Sequence, residues 1–82
     1  MSSRLRRLTG REMLAALHSI GFEVVATRGS HAKLRRRGPA GETQVLTVPL
    51  HKELALGTVR AIYRQACRFV PEEQLRPLFF HE

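Results

Sequence analysis

Residues 22–48 decide the fold, and their sequence is FEVVATRGSHAKLRRRGPAGETQVLTV. Two sets of turn-forming residues, at 28–30 and at 37–41, divide this stretch into three pieces. Each piece is rich in β-branched residues or alternates apolar with charged residues, which is typical of a strand. Pro49 ends the third piece, because proline has no backbone N–H for a sheet ladder. The pattern therefore predicts a meander of antiparallel strands over about 22–27, 31–36 and 43–48.

The second predicted strand alternates between apolar and polar residues. Successive side chains of a strand point to opposite faces, so Ala32 and Leu34 share one face. The other face carries His31, Lys33 and Arg35, which makes it solvated and cationic. In the first strand, the same reasoning predicts an inward face made by Phe22, Val24 and Ala26.

Two helices flank the predicted sheet along the chain. Thr9 and Glu12 have the spacing of a capping box, which predicts the start of a helix. Gly21 is suited to a left-handed C-terminal stop, so this helix covers about 10–20. A second helix is predicted to begin near Thr58. Its apolar residues at helical spacing are Val59, Ile62, Tyr63 and Ala66.

The central unit, residues 8–70, has the order helix, three strands, helix. This order predicts an α+β fold in which two helices pack on one face of a three-stranded antiparallel sheet. Residues 1–7 are expected to form a mobile basic arm. Residues 71–82 are expected to form a short helix, with Pro71 in its first turn, followed by a tail. The residues of this last helix that should pack on the domain are Leu75, Leu78 and Phe79.

The charge of the chain restricts its partners. Its 82 residues allow one small domain, with a formal net charge of +7 and an isoelectric point near 11.3. Such a positive field favours polyanions, with nucleic acid ahead of an anionic membrane. No apolar run approaches the ~18 residues that span a bilayer, and no apolar signal segment follows the N-terminal arginines. We therefore expect a soluble, cytoplasmic protein that binds nucleic acid.

The acidic residues argue against metal-dependent chemistry. The chain has no Asp, and its seven acidic residues are all Glu, scattered along the sequence. Two-metal phosphodiesterases hold their ions with clustered carboxylates. A Ser-His-Asp triad lacks its third member, and no spacing of Cys and His supports a zinc site. We expect no cofactor, and we expect the single cysteine, Cys67, to be a small apolar filler.

His31 is a titratable group among fixed positive charges, which suits chemistry on phosphate. RNA carries its own nucleophile, the 2′-hydroxyl, and a histidine can transfer protons at neutral pH. Lys33 and Arg35 would hold the phosphate and stabilise the charge that develops on it. His51 follows the third strand and would lie at the same sheet edge as His31, which makes it a candidate partner in proton transfer. The alternative is that His31 is a polar residue on a solvated strand and His51 an ordinary loop histidine.

The second helix carries a stripe of one sign of charge. Arg60, Arg64 and Arg68 recur every four residues, and no Glu stands at the spacing that would pair with Arg60 or Arg64. Together with Lys52 and Thr58, the stripe could follow a phosphate backbone. The alternative is a solvated helix face without a ligand.

Four segments of the chain carry a resemblance to a known family. They are LTGREMLAALHSIGF at 8–22, RGSH at 28–31, TVPLH at 47–51 and ELALGTVRAIYRQA at 53–66. In this order they resemble the HicA-type (YcfA/HicA-like) toxins, which are small mRNA interferases of toxin–antitoxin modules. The chain departs from the family at Ala32, where many members carry a second polar residue or histidine. It departs again at Cys67 and Arg68, which replace a common glycine.

The resemblance implies a fold like that of double-stranded-RNA-binding domains, α-β-β-β-α. It also implies metal-independent RNA cleavage, a catalytic histidine at His31, and neutralisation by a HicB-type antitoxin. Ser30 and His51 are then candidates for a second catalytic or positioning role. The residues expected to bind RNA are Arg28, Lys33, Arg35, Lys52, Thr58, Arg60 and Arg64.

Two further functions are compatible with the same residues. A non-catalytic RNA-binding module would use the fold and the charge without cleavage. A basic partner-binding subunit without activity would use its positive face to bind an acidic protein. Cleavage of RNA distinguishes the mRNA interferase from both of these alternatives.

Overall fold

The computed structural model describes residues 4–81 and contains three helices and two β-sheets. The fold class is α+β, as the sequence predicts. The elements are β1 (Arg4–Leu5), α1 (Gly10–His18), β2 (Glu23–Arg28), β3 (His31–Arg37), β4 (Thr43–Pro49), α2 (Leu56–Ala66), α3 (Glu72–Phe79) and β5 (Phe80–His81).

The main sheet is an antiparallel meander in the order β2-β3-β4. Exposed and buried residues alternate along β3, so the predicted burial of Ala32 and Leu34 is confirmed. Leu34 pairs with Leu46 across the sheet, and both side chains are buried. Met13 of α1 and Val59 of α2 belong to the same core cluster. Both helices therefore cover one face of the sheet, and the opposite face, here called the outer face, is open to solvent.

The predicted inward face of the first strand is wrong in part. Phe22 is fully buried, but Val24 is 47 % exposed and Ala26 is also exposed. The pairing of β2 with β3 shifts between Val24 and Ala26, which is the mark of a β-bulge at Val25. The bulge reverses the alternation, so Ala26 lies opposite Lys33 and faces outward. Val24 keeps its inward direction opposite a buried leucine, but β2 is an edge strand and all six of its residues are exposed.

Helix α1 has both predicted termini. The hydroxyl of Thr9 accepts a hydrogen bond from the backbone N–H of Glu12, and the Glu12 carboxylate accepts one from the N–H of Thr9. At the other end, the N–H of Phe22 donates to the carbonyl of Leu17, and Gly21 has a positive φ of 100°. The helix itself ends at His18, two residues earlier than predicted, because the residues that follow form the closing turn.

Helix α2 begins at Leu56 rather than near Thr58, which lies half-buried in its first turn. The predicted apolar face is buried as a whole. Tyr63 from this face donates a hydrogen bond from its hydroxyl to Glu72 of α3, and its ring meets Phe79 edge-on at 5.3 Å. Burial raises the pKa of the Tyr63 phenol, and the bond to Glu72 raises it further. These contacts hold α3 against α2, with Pro71 as the residue that caps α3 rather than one within its first turn.

Residues 4–6 of the predicted mobile arm are instead paired with the other end of the chain. Arg4–Leu5 pairs with Phe80–His81 as a two-stranded antiparallel sheet, with Arg4 opposite His81. The backbone N–H of Arg6 continues this pairing by donating to the carbonyl of Phe79 at 2.8 Å. The two ends of the chain therefore meet beside the helices. Residues 1–3 of the predicted arm lie outside the described part of the chain.

Gly10 is the point at which α1 meets the end of β4. Its N–H donates to the carbonyl of His51 at 2.9 Å. A Cβ atom at Gly10 would lie 2.9 Å from the Pro49 carbonyl oxygen and 3.0 Å from that of His51. Both neighbours are backbone atoms, so they cannot move aside by changing a rotamer. Only glycine fits this approach without displacing the chain.

We expect Gly10→Ala to lower the free energy of unfolding by about 1–3 kcal/mol, because the added methyl group forces a backbone shift. Gly57→Ala is the matched control, since a Cβ at Gly57 of α2 meets nothing within 4 Å. This control should leave stability unchanged or raise it by up to about 1 kcal/mol. Urea unfolding followed by circular dichroism measures both variants. Equal stability of Gly10→Ala and the wild-type protein would contradict the close approach.

Candidate functional site

His31 is the first residue of β3 and lies exposed on the outer face of the sheet. The turn before it consists of Gly29 and Ser30, and Gly29 has a positive φ of 58°, which a two-residue hairpin turn favours at this position. Arg28 is the cross-strand partner of His31, so their side chains lie on the same face. Lys33 follows two residues along β3 on that face. The imidazole therefore stands beside cationic side chains at one end of the sheet.

The start of β3 and the end of β4 lie at the same end of the sheet, as the sequence predicts. His31 pairs with Pro49, and the N–H of Leu50 donates to the carbonyl of Ser30 at 2.6 Å. His51 is the next residue, and its backbone carbonyl is held by Gly10. Within residues 4–81, neither imidazole makes a hydrogen bond or an ion pair. The backbone brings the two histidines to one region, and both side chains remain available to a substrate.

A cleft of about 630 Å³ opens where α1 meets the end of β4. We call it the junction cleft. Arg11 and Lys52 supply positive charge, while Leu14 and Leu50 supply apolar walls. Leu50 in its wall follows Pro49, the strand partner of His31, so the cleft lies at the end of the sheet where β3 begins. The residues that line it are Thr9, Arg11, Leu14, Leu50, His51 and Lys52.

Arg11 was not among the residues expected from the sequence. Its position in the first turn of α1 gives no local sign of a site, because the cleft depends on how α1 packs on β4. The contact that creates the cleft joins residues 10 and 51, which are far apart in the chain. Only the packing of α1 against the end of β4 identifies Arg11 as a residue of the cleft.

The arginines of β3 do not share one role. Arg35 is exposed on the outer face beside Lys33, as predicted. Arg36 instead donates from its guanidinium to the Gln44 side-chain oxygen at 2.9 Å and lies over the ring of Phe22 at 5.9 Å. It is therefore engaged in structure and is less available to a ligand than its neighbour.

Gln44 continues this network to the turn between β3 and β4. Gln44 is buried, and its amide donates to one Glu42 oxygen at 3.0 Å, while the Ala40 N–H donates to the other at 3.0 Å. Hydrogen bonds from the backbone N–H of Glu42 itself, from Gln44 and from Ala40 lower the pKa of Glu42. The charged form is thus favoured in the folded state.

The pKa of Glu42 is lower in the folded protein than in the unfolded chain, where it is about 4.5. The carboxylate therefore stabilises the fold at pH values above 4.5, and this contribution is lost as the pH falls through the pKa of the folded state. We therefore expect Glu42→Gln to reduce stability at pH 7 and to differ less from the wild-type protein near pH 3. Urea unfolding at both pH values measures this difference. Glu23→Gln removes the same charge from the exposed edge strand and is the control. A Glu42→Gln effect that is equal at both pH values would contradict the proposed role of the carboxylate.

The expected basic residues fall into separate groups. Lys52 lies in the junction cleft, close to the His31 end of the sheet. Arg60 and Arg64 are exposed on α2, while Arg68 lies beyond the end of that helix, so the predicted helical stripe holds only the first two. Thr58 is half-buried in the first turn of the helix and points about 200° around its axis from Arg60. The structure thus joins Lys52 to His51 and leaves Arg60 and Arg64 as a second basic surface.

Residues 4–81 contain no candidate metal centre and no membrane-spanning helix. No three His, Cys, Asp or Glu side chains in this part of the chain come close enough together to hold a metal ion. No helix in it has the length and apolar character needed to cross a lipid bilayer. Cys67 is half-buried against the core and is not in a disulfide, in agreement with its predicted packing role.

Comparison with family models gives a match over residues 10–66, to the family described as the HicA toxin of bacterial toxin–antitoxin systems. The chain belongs to the HicA toxin family. The match spans α1 to α2 and includes both histidines of the site. A toxin of this kind has an antitoxin as its partner. No curated protein and no solved structure matches the chain.

The HicA family region ends where α2 ends. The terminal sheet of β1 and β5 and helix α3 lie outside it, yet Leu75 and Phe79 of α3 are part of the single core. These elements lie outside the matched region but share its core.

Proposed function

We propose that this HicA toxin is an mRNA endonuclease that cleaves RNA without a metal ion and thereby inhibits translation, with His31 as its catalytic histidine. One observation carries the proposal. His31 is exposed at the end of the sheet on the same face as Arg28, Lys33 and Arg35, and its strand partner Pro49 is two residues from His51, which lines a basic cleft. Membership of a toxin family supports the physiological consequence.

The reaction that suits these groups is attack by the RNA itself. A general base removes the proton of a 2′-hydroxyl, and the 2′-oxygen then forms a bond to the adjacent phosphorus. The bond from phosphorus to the 5′-oxygen breaks, and a general acid gives that oxygen a proton. The products are a 2′,3′-cyclic phosphate and a 5′-hydroxyl. Two proton transfers are needed, and His31 performs one or both.

His51 is the candidate for the second proton transfer or for positioning the substrate. It lies two residues beyond the strand partner of His31, and its side chain is exposed in the junction cleft. Ser30 adds a hydroxyl in the turn before His31 and is a candidate for positioning the phosphate. Lys33 and Arg35 would stabilise the negative charge that develops on the phosphate oxygens.

The remaining basic residues would bind the rest of the RNA strand. Lys52 would act in the junction cleft, and Thr58, Arg60 and Arg64 would act on α2. Phosphate contacts of this kind give affinity that depends on salt and little on sequence. The proposed antitoxin is of the HicB type and would bind over the positive surface in the cytoplasm, so that RNA and antitoxin exclude each other.

We expect His31→Ala to reduce the rate of RNA cleavage by at least about 100-fold, which is the range for loss of a general acid or base. The assay uses a bulk mRNA with EDTA present. His18→Ala is the matched control, since His18 is exposed in the last turn of α1, far from the site in the chain. Equal cleavage by His31→Ala and the wild-type protein would remove His31 from the mechanism.

The same assay decides the role of His51. A loss of about 100-fold in His51→Ala would assign it to proton transfer, and a loss below about tenfold would assign it to positioning. Binding of RNA without cleavage by the wild-type protein would instead favour the non-catalytic RNA-binding module. Harmless expression together with tight binding of an acidic partner would favour the inactive subunit.

A second prediction concerns the substrate. Replacing the nucleotide before the cut with its 2′-deoxy form should abolish cleavage at that bond, because the proposed nucleophile is absent. Cleavage at other bonds of the same oligonucleotide should continue and serves as the internal control. Cleavage of an all-DNA strand at the RNA rate would be incompatible with the 2′-hydroxyl mechanism.

A further inference from the structure

A second basic cleft lies where the two ends of the chain meet α2. Its volume is about 580 Å³, and its walls come from β1, β5 and the start of α2. We call it the terminal cleft. It differs from the junction cleft in every residue. The residues that line it are Arg4, Leu5, Arg7, Leu56, Arg60 and His81.

The terminal sheet builds this cleft. Pairing of β1 with β5 places Arg4 opposite His81, and both then lie beside Arg60 of α2. Three guanidinium groups and an imidazole thereby line one concave surface. Like charges repel one another, so gathering them in one place is favourable when an anion lies between them.

Arg4 and Arg7 are accessible to a ligand. Both residues are exposed, and Arg7 makes a salt bridge of 3.8 Å with Glu53 whose side chains are 75 % and 67 % exposed. An exposed pair of this kind contributes little to stability. A phosphate can therefore displace Glu53 from Arg7 at small cost.

We propose that the terminal cleft binds phosphate groups of the RNA strand, as a second binding site separate from the surface around His31. The proposal rests on the proposed RNA substrate and extends it to a site that the HicA family region does not contain. Four of its six residues, Arg4, Leu5, Arg7 and His81, lie outside residues 10–66. Arg60 lines the cleft, and Arg64 is exposed one turn further along α2. An RNA strand bound in the cleft would therefore meet further positive charge along the helix.

The chemistry of the cleft favours phosphate. Arginine presents several N–H donors in a fixed fork, which matches the oxygen pairs of a phosphate group. An acidic protein segment would also be attracted by the charge, and the experiment below separates the two ligands.

The test measures binding of a 20-nucleotide 2′-O-methyl RNA, which the proposed mechanism cannot cleave because it has no free 2′-hydroxyl. We expect Arg4→Gln/Arg7→Gln to weaken binding about tenfold at low salt. The slope of log K against log salt should become shallower by about 1.4, because each lost contact to a single strand contributes about 0.7. Arg4→Lys/Arg7→Lys keeps the charge and should bind within about threefold of the wild-type protein.

Arg6→Gln is the matched control and is compared with the single variant Arg4→Gln. Arg6 lies between the two arginines in sequence but lines a different cleft, with Leu8 and Glu12. We expect Arg6→Gln to change affinity less than twofold and Arg4→Gln to weaken it about threefold. Equal losses in these two variants would mean that net charge, and not the cleft, is responsible, and would overturn the proposal.

The outcomes for the site and for the proposed function are distinct. Binding that depends on Arg4 and Arg7 in a protein that cleaves no RNA supports the cleft and overturns the endonuclease. Cleavage by a protein whose Arg4→Gln/Arg7→Gln variant binds RNA like the wild type supports the endonuclease and overturns the cleft. Unchanged RNA binding in that variant, with loss of binding to polyglutamate, would assign the cleft to an acidic protein instead.

Discussion

The hydrogen bond from the N–H of Gly10 to the carbonyl of His51, at 2.9 Å, is the contact on which the candidate site depends. It joins the first residue of α1 to the segment that leaves β4. The adjacent bond from Leu50 to Ser30 then ties this segment to the turn before His31. The segment at Leu50 and His51 thus contacts both the start of α1 and the turn before His31, although these three parts of the chain are distant in sequence. The junction cleft lies between α1 and the segment that leaves β4, with His51 and Lys52 in its wall.

Local patterns of the sequence predict the elements that hold this site. The capping box at Thr9 and the stop at Gly21 define α1, because both act through hydrogen bonds within one turn of the helix. The alternation along β3 places His31 on the open face, because the period of a strand is a property of its backbone. These features need no knowledge of the rest of the chain.

Features that arise from contacts between distant residues could not be predicted in this way. The bulge at Val25 reverses the direction of Ala26, and it becomes visible only in the register with β3. Arg36 resembles its neighbour Arg35 in sequence, yet its guanidinium is held by Gln44 from the next strand. The arginine-rich N-terminal sequence predicts a mobile arm, and only the structure shows that Arg4 pairs with His81 at the other end of the chain. Arg11 belongs to the site only through the packing of α1 on β4.

The proposed enzyme would divide its work between the region that matches the HicA family and the terminal segments outside that region. The matched region carries His31 and His51, and the termini outside it carry Arg4, Arg7 and His81. Helix α3 ties these parts together, because Tyr63 of the family region bonds to Glu72 beyond it. RNA cleavage and much of the RNA binding would thus come from different segments of the chain that share one small core.

The chemical identity of the cleaved ends tests the central claim most directly. Mass spectrometry of RNA fragments produced by the purified protein distinguishes the possible products of phosphodiester cleavage. Attack by the RNA's own 2′-hydroxyl, assisted by His31, predicts a 2′,3′-cyclic phosphate on one fragment and a 5′-hydroxyl on the other. Fragments that carry a 3′-hydroxyl and a 5′-phosphate would require an external water nucleophile and would contradict the account.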